Sequence, residues 1–347
     1  MLEAMDEALK RYARQVACPR VGEEGQKRLL GSTAAIVGMG ATGGAIASIL
    51  VRAGVGNVRV IDRDLVEEVN LQRQMLFDER DARDGIPKAV AAERRLREAN
   101  SGVRVQGVVA DLTSSNVERL LEGATCIFDG TDNFETRLLV NDFAVSAGTP
   151  WIYAGVIATY GHTMAILPRR TACFRCYLAD LPPPGSVETC ETAGVLAPAV
   201  QAIAAFAAME GLKVLSGRLD AVCDGLHTLD LWTRELRRIA ITPDPECRAC
   251  SRGEFDFLAG GALPPATALC GREAVQVRAP DGTVIDLDRL TERLRATGEG
   301  EATRGPYAVR FRAIDLEATI FPDGRAIVKG TGDPARARSF YARFIGT

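Results

Sequence analysis

The chain has 347 residues, which is too long for one ordinary domain and predicts two. Apolar residues make up 47% and charged residues 25%, so the composition excludes disordered, collagen-like and coiled-coil proteins. The net charge of −3, from 42 basic and 45 acidic residues, does not indicate electrostatic binding to nucleic acid, and no nucleic-acid partner is expected.

The amino-terminal segment MLEAMDEALKRYARQ is charged and amphipathic, and it lacks the apolar core of a secretion signal. The longest apolar stretch, residues 193–209, is rich in alanine and is interrupted by Pro198 and Gln201. A membrane helix needs about 20 strongly apolar residues, so this stretch predicts a buried core helix and no membrane contact. We therefore expect a cytoplasmic protein with reduced cysteines, in which close cysteine pairs indicate metal binding or catalysis.

Strands and helices alternate through the first 150 residues. Strands are predicted at 34–37, 57–62, 103–110 and 125–129, and helices after GMGATGG and at 88–99, 114–122 and 134–147. This alternation predicts an α/β fold with a Rossmann-like, mostly parallel sheet that carries helices on both faces. Residues 151–167 predict further β-structure after that core.

A segment at 251–269 loses periodicity and gathers Gly and Pro, so it is predicted to be a linker. It separates a larger domain, residues 1–250, from a small α+β unit at 270–347, whose helices are predicted at 287–296 and 334–344. Within the larger domain, about 30–150 forms the nucleotide-binding core and about 151–250 a second, β-containing half. The arginine-rich helices of the small unit leave two interpretations open: a stabilising or dimer-supporting module, or a basic docking face.

Three glycines, Gly38, Gly40 and Gly43, form a G-x-G-x-x-G between a strand and a helix. Such glycines allow a tight turn and a close approach of backbone to phosphate at a helix N-terminus, where free N–H groups favour anions. Asp62 ends the second strand, 19 residues after Gly43, where an acid meets ribose hydroxyls. This pattern alone fits NAD, FAD or ATP.

The residues that follow Asp62 are not those of a dehydrogenase. Arg73 and Lys88 come after the phosphate loop, and Asp132 follows the fourth strand. Arginine and lysine neutralise phosphates and a carboxylate holds Mg²⁺, so this combination indicates a triphosphate with its metal. A dinucleotide carries only two phosphates and needs no metal, which makes a dehydrogenase a distant alternative.

Several motifs in order resemble the E1-like activating enzymes, the bacterial ThiF and MoeB group together with the adenylation halves of ubiquitin-activating enzymes. They are RYARQ (11–15), GMGATGG (38–44), IDRD (61–64), NLQRQ (70–74), GIPKA (85–89), DGTDN (129–133), GVIATYG (155–161), TCETAGVLAP (189–198), CFRC (173–176) and CRAC (247–250). The resemblance covers residues 11–250. One departure is Ala41-Thr42, where the family usually has Gly-Leu; the small Ala41 still lets backbone approach phosphate.

The resemblance implies an ATP- and Mg²⁺-dependent adenylyltransferase. Its substrate would be the C-terminal glycine carboxylate of a small β-grasp sulfur carrier that ends in Gly-Gly, activated as an acyl-adenylate. Asp62 would hold the ribose, Asp132 would hold Mg²⁺, and Arg14 would reach the ATP of a neighbouring subunit, which implies a homodimer. The full implied nucleotide set is Gly38, Gly40, Ala41, Gly43, Asp62, Asn70, Arg73, Lys88, Asp132 and Asn133, with phosphates on Asn70, Arg73 and Lys88.

Two C-x₂-C pairs, Cys173–Cys176 and Cys247–Cys250, have 70 residues between them. Four thiolates suit tetrahedral Zn²⁺, and the wide gap predicts a closed structural site that ties one distant segment to another. One pair alone would also suit redox chemistry, but two pairs favour zinc.

Cys190 lies in a loop before the alanine-rich helix, beside Glu188 and Glu191. The resemblance matches it to the loop cysteine of ThiF and MoeB proteins and to the thioester cysteine of ubiquitin-type enzymes. Two hypotheses stay open: sulfur transfer through Cys190, with a sulfur donor protein as a second partner, or no chemical role.

Two other functions fit the same motifs. An E1-like enzyme could adenylate a peptide or a tRNA base, although the near-neutral charge disfavours tRNA. A degenerate scaffold could bind a carrier without activating it, but the intact basic and acidic motif residues disfavour that.

Overall fold

The structure is a computed structural model that describes residues 7–182, 188, 192–260, 266–269, 273–280 and 283–346. The chain divides into two compact units, Met1–Gly261 and Ala262–Thr347. Cys190 lies outside the described residues.

The first unit alternates strands and helices through most of its length. Its helices are α1 Glu7–Lys10, α2 Ala13–Val16, α3 Gly22–Gly31, α4 Ala41–Ala53, α5 Glu79–Arg83, α6 Lys88–Ala99, α7 Val117–Leu121, α8 Phe134–Ala147, α9 Phe174–Tyr177 and α10 Ala197–Leu215. Its strands are β1 Thr33–Val37, β2 Asn57–Asp62, β3 Arg104–Val109, β4 Cys126–Asp129, β5 Trp151–Ile157, β6 Tyr160–Ile166, β7 Leu226–Asp230 and β8 Glu235–Ile239. Short 3₁₀ turns form at Glu68–Asn70 and Leu219–Ala221.

The eight strands form one sheet in the order β3-β2-β1-β4-β5-β6-β7-β8. The pairs from β3 to β5 are parallel, and those from β5 to β8 are antiparallel. The strand order reverses between β1 and β4, which is the switch point where open α/β sheets bind ligands. The predicted mostly parallel sheet is therefore confirmed, and its switch point lies at the predicted glycine motif.

Helices cover both faces of the sheet, as predicted. Leu50 of α4, Leu96 of α6 and Ile203 of α10 share one buried apolar cluster. Leu138 and Phe143 of α8 belong to a second buried cluster with residues of α7. The apolar strands are thus buried on both sides, which is the usual reason for continuous rather than alternating hydrophobic runs.

The helix predicted within the apolar stretch is α10. By length and composition it could cross a membrane, but 56% of its most apolar window is buried inside the protein. It packs on the sheet, where Gly211 faces the Phe128 ring of β4. The buried core helix predicted from sequence agrees with this placement.

The second unit has a six-stranded antiparallel sheet in the order β11-β12-β13-β14-β10-β9. Its elements are β9 Ala266–Leu269, β10 Ala274–Val277, α11 Leu287–Ala296, β11 Gly300–Arg304, β12 Val309–Ala313, β13 Leu316–Ile320, β14 Ala326–Lys329 and α12 Pro334–Phe344. Leu290 of α11 and Phe344 of α12 pack in one cluster with Phe311 of β12. Both predicted helices have the bounds that the sequence indicated.

The segment 251–269, predicted to be a linker, carries more structure than its composition indicates. Phe255 and Phe257 pack against the second core cluster of the first unit. Ala266–Leu269 forms β9 and pairs with β10. Isolated aromatics and a four-residue strand leave no periodic signal, which explains the difference.

Replacing Gly211 by alanine tests the contact between α10 and the sheet. A Cβ at this position would lie 2.1 Å from Phe128 Cε1, so we expect destabilisation of roughly 1–3 kcal/mol despite the higher helix propensity of alanine. Denaturant unfolding of both proteins measures the difference. Gly31→Ala is the matched control, because a Cβ on Gly31 meets no atom within 4 Å; equal stability of the two variants would contradict the contact.

Candidate functional site

Three glycines bring the ends of β1 and β4 into backbone contact. Gly38 has a φ of +86°, and its amide donates to the Ile61 carbonyl over 2.8 Å. A Cβ on Gly43 would lie 1.9 Å from the Gly38 oxygen, and a Cβ on Gly130 would lie 2.3 Å from the same oxygen. Only glycine fits at these positions. Gly130, which is outside the predicted motif, is therefore required for this backbone contact together with Gly38 and Gly43.

Gly40 differs from Gly38, Gly43 and Gly130 because a Cβ there would make only ordinary van der Waals contacts. The nearest atoms to a Cβ on Gly40 are Gln74 Nε2 at 3.8 Å and the Gly130 oxygen at 3.9 Å. Gly40 precedes α4, which begins at Ala41 without a side-chain cap. The start of α4 therefore has no side-chain cap and leaves room at Gly40, and an uncapped helix N-terminus of this kind suits phosphate binding.

Asp62 is at the end of β2, beside this turn. Its two carboxylate oxygens accept 2.6 Å hydrogen bonds from the amides of Met39 and Asp64. Burial raises the pKa of Asp62, while the nearby charge of Lys88 lowers it. A carboxylate has about four lone-pair positions, so it can still accept from two ribose hydroxyls.

Lys88 begins α6 after Pro87, and it is almost fully buried. Its Nζ lies 3.1 Å from Asp64 Oδ2, and its amide donates to the Asp64 carbonyl over 2.8 Å. Asp64 belongs to the same IDRD segment as Asp62. The predicted ribose acid and the predicted phosphate lysine are therefore neighbours in the structure.

Asn70 and Gln74 face the glycine turn from the segment that follows β2. Gln74 Nε2 donates to Asn70 Oδ1 over 3.0 Å, and both side chains are buried. Asn70 Nδ2 and Gln74 Oε1 are buried atoms without a hydrogen-bond partner in the protein. Buried polar atoms are normally satisfied, so this pair fits a bound polar ligand such as a nucleotide. Arg73, between them, is half-buried, and its Nη1 donates to the Val69 carbonyl over 3.2 Å.

The segment after β4 carries Asp132 and Asn133. Asp132 is exposed, and Asn133 caps α8 by accepting from the Thr136 amide over 2.8 Å. The segment begins at Gly130, in contact with the glycine turn. Asp132 thus lies on the same edge of the sheet as the glycine turn and Asp62.

A second arginine after β2, Arg63, approaches this acidic segment. Its Nη1 lies 2.9 Å from Asp111 Oδ1. Burial lowers the pKa of Arg63, but the charges of Asp111, Asp64 and Asp132 raise it more, so it stays charged. Arg63 therefore keeps a positive charge in the part of the site that carries these acidic residues.

Arg14 is the predicted site residue that the structure does not bring to this chain's own glycine turn. Its neighbour Tyr12 packs against Gly54, at the other end of α4, and accepts from Asn100 Nδ2 over 2.9 Å. A 13-residue helix spans about 20 Å. Arg14 is exposed there, at the end of α4 remote from the phosphate cradle.

The four paired cysteines form one cluster. The Sγ–Sγ distances are 3.8 Å for Cys173–Cys176, 3.5 Å for Cys173–Cys247 and 3.5 Å for Cys176–Cys250. All four sulfurs lie within 4.8 Å of one another. Zn–S bonds of about 2.3 Å in a tetrahedron place sulfurs about 3.8 Å apart, so the donor set fits zinc.

Both arms of this cluster are anchored on α8. The Phe174 amide donates to Asn141 Oδ1 over 2.8 Å, and the Phe257 amide donates to Asp142 Oδ2 over 3.1 Å. Arg175 lies 3.7 Å from Asp142, and both side chains are buried. The cysteine arms therefore pack on α8, the helix that Asn133 caps.

Sequence reasoning missed Asp129 and Arg137. Asp129 ends β4 and accepts from the Thr131 amide at 2.8 Å, from Thr131 Oγ1 at 2.6 Å and from Arg137 Nε at 2.9 Å. Arg137 also donates through Nη2 to the Thr131 carbonyl over 2.7 Å. The available signal was an acid at a strand end with an arginine about one turn into the next helix. Gln74 and Arg63 were also missed, although both stand inside quoted motifs.

Comparison with known proteins agrees with these features. The model of the ThiF family matches residues 12–249. The sulfur carrier protein ThiS adenylyltransferase of Bacillus subtilis is 44% identical over 339 residues, which cover 97% of this chain and 99% of that protein. The sulfur carrier protein adenylyltransferase of Thermus thermophilus is 38% identical over 250 residues, 70% of this chain and 91% of that protein.

Solved structures show the same fold. A crystal structure of Escherichia coli MccB with MccA-N7isoASN has a TM-score of 0.62 and 22% identity, and it covers 72% of this chain and 76% of that one. A structure of the same protein with ATP has a TM-score of 0.61 and 21% identity, over 71% of this chain and 75% of that one.

Two single substitutions separate the structural glycine from the ligand-facing one. Gly43→Ala places a Cβ against the Gly38 carbonyl, so we expect loss of about 3 kcal/mol or failure to fold. Gly40→Ala has space for its Cβ, so we expect a normal melting temperature and a rise of about tenfold in the ATP dissociation constant. Thermal melts and calorimetric titration with ATP measure both. A Gly43→Ala protein as stable as the unmodified chain would contradict the backbone contact.

Metal analysis tests the cysteine cluster. We expect about one zinc per chain, because four sulfurs at these distances complete one tetrahedral site. Cys173→Ser and Cys247→Ser remove one ligand from each pair and are expected to lose the metal and to melt at lower temperature. Cys18→Ser, at an exposed cysteine outside the cluster, is the control and should keep both. Retention of zinc by both cluster variants would disprove the assignment.

Proposed function

The chain belongs to the ThiF family and is an adenylyltransferase, and we propose how it acts and on what. It uses ATP and Mg²⁺ to activate the C-terminal glycine carboxylate of a small β-grasp sulfur carrier as an acyl-adenylate. The relative that spans nearly the whole chain acts on ThiS, which supports a ThiS-like carrier with a C-terminal Gly-Gly. The product would serve thiamin-thiazole synthesis, molybdopterin synthesis or a related sulfur transfer.

One observation supports this proposal above the others. The ends of β1, β2 and β4 bring an uncapped helix N-terminus, a buried acid and an acidic segment to one edge of the sheet. The uncapped helix N-terminus suits phosphate, and the buried acid suits the ribose hydroxyls. The acidic segment suits a metal ion that binds the phosphates. Asn70 and Gln74 add buried polar atoms that have no hydrogen-bond partner in the protein and could bind a ligand.

The proposed roles follow from charge and position. The first amides of α4, at Gly40 and Ala41, face the phosphates, and Asp62 binds the ribose. Asn70, Arg73 and Lys88 bind phosphate oxygens, and Asp132 holds Mg²⁺, with Asn133 beside it. Bound Mg²⁺ would neutralise phosphate charge and polarise the phosphorus for attack.

In the reaction, a carboxylate oxygen of the carrier attacks the α-phosphorus of ATP. The new C(O)O–P bond forms as the bond from the α-phosphorus to the bridging oxygen breaks, and pyrophosphate leaves. Both reactants are anions, so the site has to offset their repulsion. Arg73 and Lys88 do this electrostatically, and the glycine turn holds ATP in position, without a covalent enzyme intermediate.

Further parts of the proposal concern other chains and steps. Arg14 is exposed at the far end of α4, so it is free to reach the ATP of a second subunit in a homodimer. Cys190 is proposed, from its place in TCETAGVLAP alone, as the cysteine that takes part in sulfur transfer or thioester formation, with a sulfur donor protein as the second partner. For the small unit at 270–347 we propose a stabilising or dimer-supporting module, with a basic docking face as the alternative.

Pyrophosphate exchange into ATP tests the proposed reaction. We expect exchange that depends on a ThiS- or MoaD-like protein ending in Gly-Gly and that disappears when the final glycine is deleted. Arg73→Ala and Asp132→Ala should each lower the rate by about 10²–10³, the usual cost of removing a group that stabilises developing charge. Arg119→Ala, at an exposed arginine on α7, is the control and should exchange normally. Carrier-independent exchange, or full activity of both site variants, would argue against the proposal.

A further inference from the structure

A buried ion pair under the Asp132 segment has no part in the reaction as proposed. Asp129 and Arg137 are 2% and 8% exposed, and Arg137 Nε lies 2.9 Å from Asp129 Oδ2. Burial lowers the pKa of Arg137, but the charge of Asp129 raises it further, so the arginine stays charged. Buried ion pairs are rarely favourable for stability alone, since desolvation offsets much of the attraction. Its hydrogen bonds to the neighbouring backbone indicate what else it could do.

Asp129 and Arg137 bind the N–H and the C=O of the same residue, Thr131. Asp129 Oδ1 accepts from the amide and the hydroxyl of Thr131, and Arg137 Nη2 donates to the Thr131 carbonyl. The backbone of Thr131 is thus fixed at its N–H and at its C=O, immediately before Asp132. On the other side, Gly130 is fixed against Gly38 and Gly43.

Arg137 is also held in place from three directions. Its guanidinium lies over the rings of Phe134 at 5.5 Å and Tyr153 at 5.2 Å, and Nη2 is 3.4 Å from the Ala154 carbonyl. Phe134 is on α8 and Tyr153 is on β5, so the arginine side chain contacts two different elements of the core. A planar guanidinium holds its separate donor nitrogens in a fixed arrangement, whereas an ammonium donates from a single nitrogen.

We propose that Arg137, together with Asp129, is the positioning element for the metal-binding carboxylate Asp132. This inference rests on the proposed function, because it assumes that Asp132 binds the Mg²⁺ of Mg·ATP. Asp132 itself is exposed and receives one 3.5 Å hydrogen bond, from Asn133 Nδ2. Its direction is therefore set by the backbone before it, which the buried pair fixes. Arg137 acts through this backbone and touches neither nucleotide nor carrier.

The proposal predicts a specific loss. In Arg137→Met the cradle at Gly40 is unchanged, so binding of ATP in the presence of EDTA should stay within about twofold of the unmodified chain. The Mg²⁺ concentration for half-maximal pyrophosphate exchange should rise by about 10–100-fold, as for loss of other residues that orient metal ligands. Arg137→Lys should lie between the two, because the lysine ammonium can pair with Asp129 but lacks the planar fork whose separate nitrogens reach Asp129 and the Thr131 carbonyl.

A second variant covers the case in which Arg137→Met fails to fold. Thr131→Val removes the hydroxyl donor and leaves the ion pair intact, so it should fold and shift the Mg²⁺ requirement by a few-fold. A double-mutant cycle adds the decisive control. In an Asp132→Asn background, Arg137→Lys and Thr131→Val should cause no further shift, since they act through Asp132.

The outcomes separate this inference from the proposed function. If the unmodified chain binds ATP but shows no carrier-dependent, Mg²⁺-dependent exchange, the proposed function fails. If it exchanges normally and the folded Arg137 and Thr131 variants keep the same Mg²⁺ requirement, the positioning role is wrong. Equal weakening of ATP binding with and without Mg²⁺ would also overturn it, because the pair would then be supporting the nucleotide cradle instead of Asp132.

Discussion

The contact between the backbones of Gly38, Gly43 and Gly130 is the constraint on which the candidate site depends. It closes the ends of β1 and β4 to a distance that no Cβ would permit. Because the strand order reverses between these two strands, the contact forms the floor of the switch-point crevice. Three of the proposed ligand groups lie next to this contact: α4 begins after Gly40, Asp62 is tied to the Met39 amide, and Asp132 follows Gly130.

Around this floor, three basic side chains each lie against an aspartate. Lys88 lies against Asp64, Arg63 against Asp111, and Arg137 against Asp129. A site for a triphosphate needs cations that stay charged and in place when the ligand is absent, and partners with opposite charge provide both. Pairing also limits the repulsion among these cations before the nucleotide arrives. Arg73 differs from these cations because it is half-buried and donates to a backbone carbonyl, that of Val69.

The sequence predicted what depends on local patterns and missed what depends on contacts between distant segments. The helices that begin at Lys88 and Phe134, the parallel sheet and the four-cysteine cluster all follow from periodicity or spacing. The role of Asp129 could not be predicted, because its partner Arg137 becomes relevant only when α8 folds back over the end of β4. The strand β9 and the packing of Phe255 were missed for the same reason: neither has a local signal. Arg14 was predicted as a site residue, but in one chain it lies away from the glycine turn, so its role depends on an assembly that a single chain does not contain.

Helix α8 connects the two parts of the larger unit that sequence spacing treats as separate. Its N-terminus, capped by Asn133, follows Asp132, the acid of the proposed nucleotide site. Its buried Asn141 and Asp142 accept hydrogen bonds from the two arms that carry the cysteine pairs. A metal held by all four cysteines has no open coordination position, so its contribution is to close a long loop and fix both arms against this helix. A rigid α8 in turn gives Arg137 a fixed base from which to hold Thr131. The four-cysteine cluster and the proposed nucleotide site therefore both depend on α8, although no residue belongs to both.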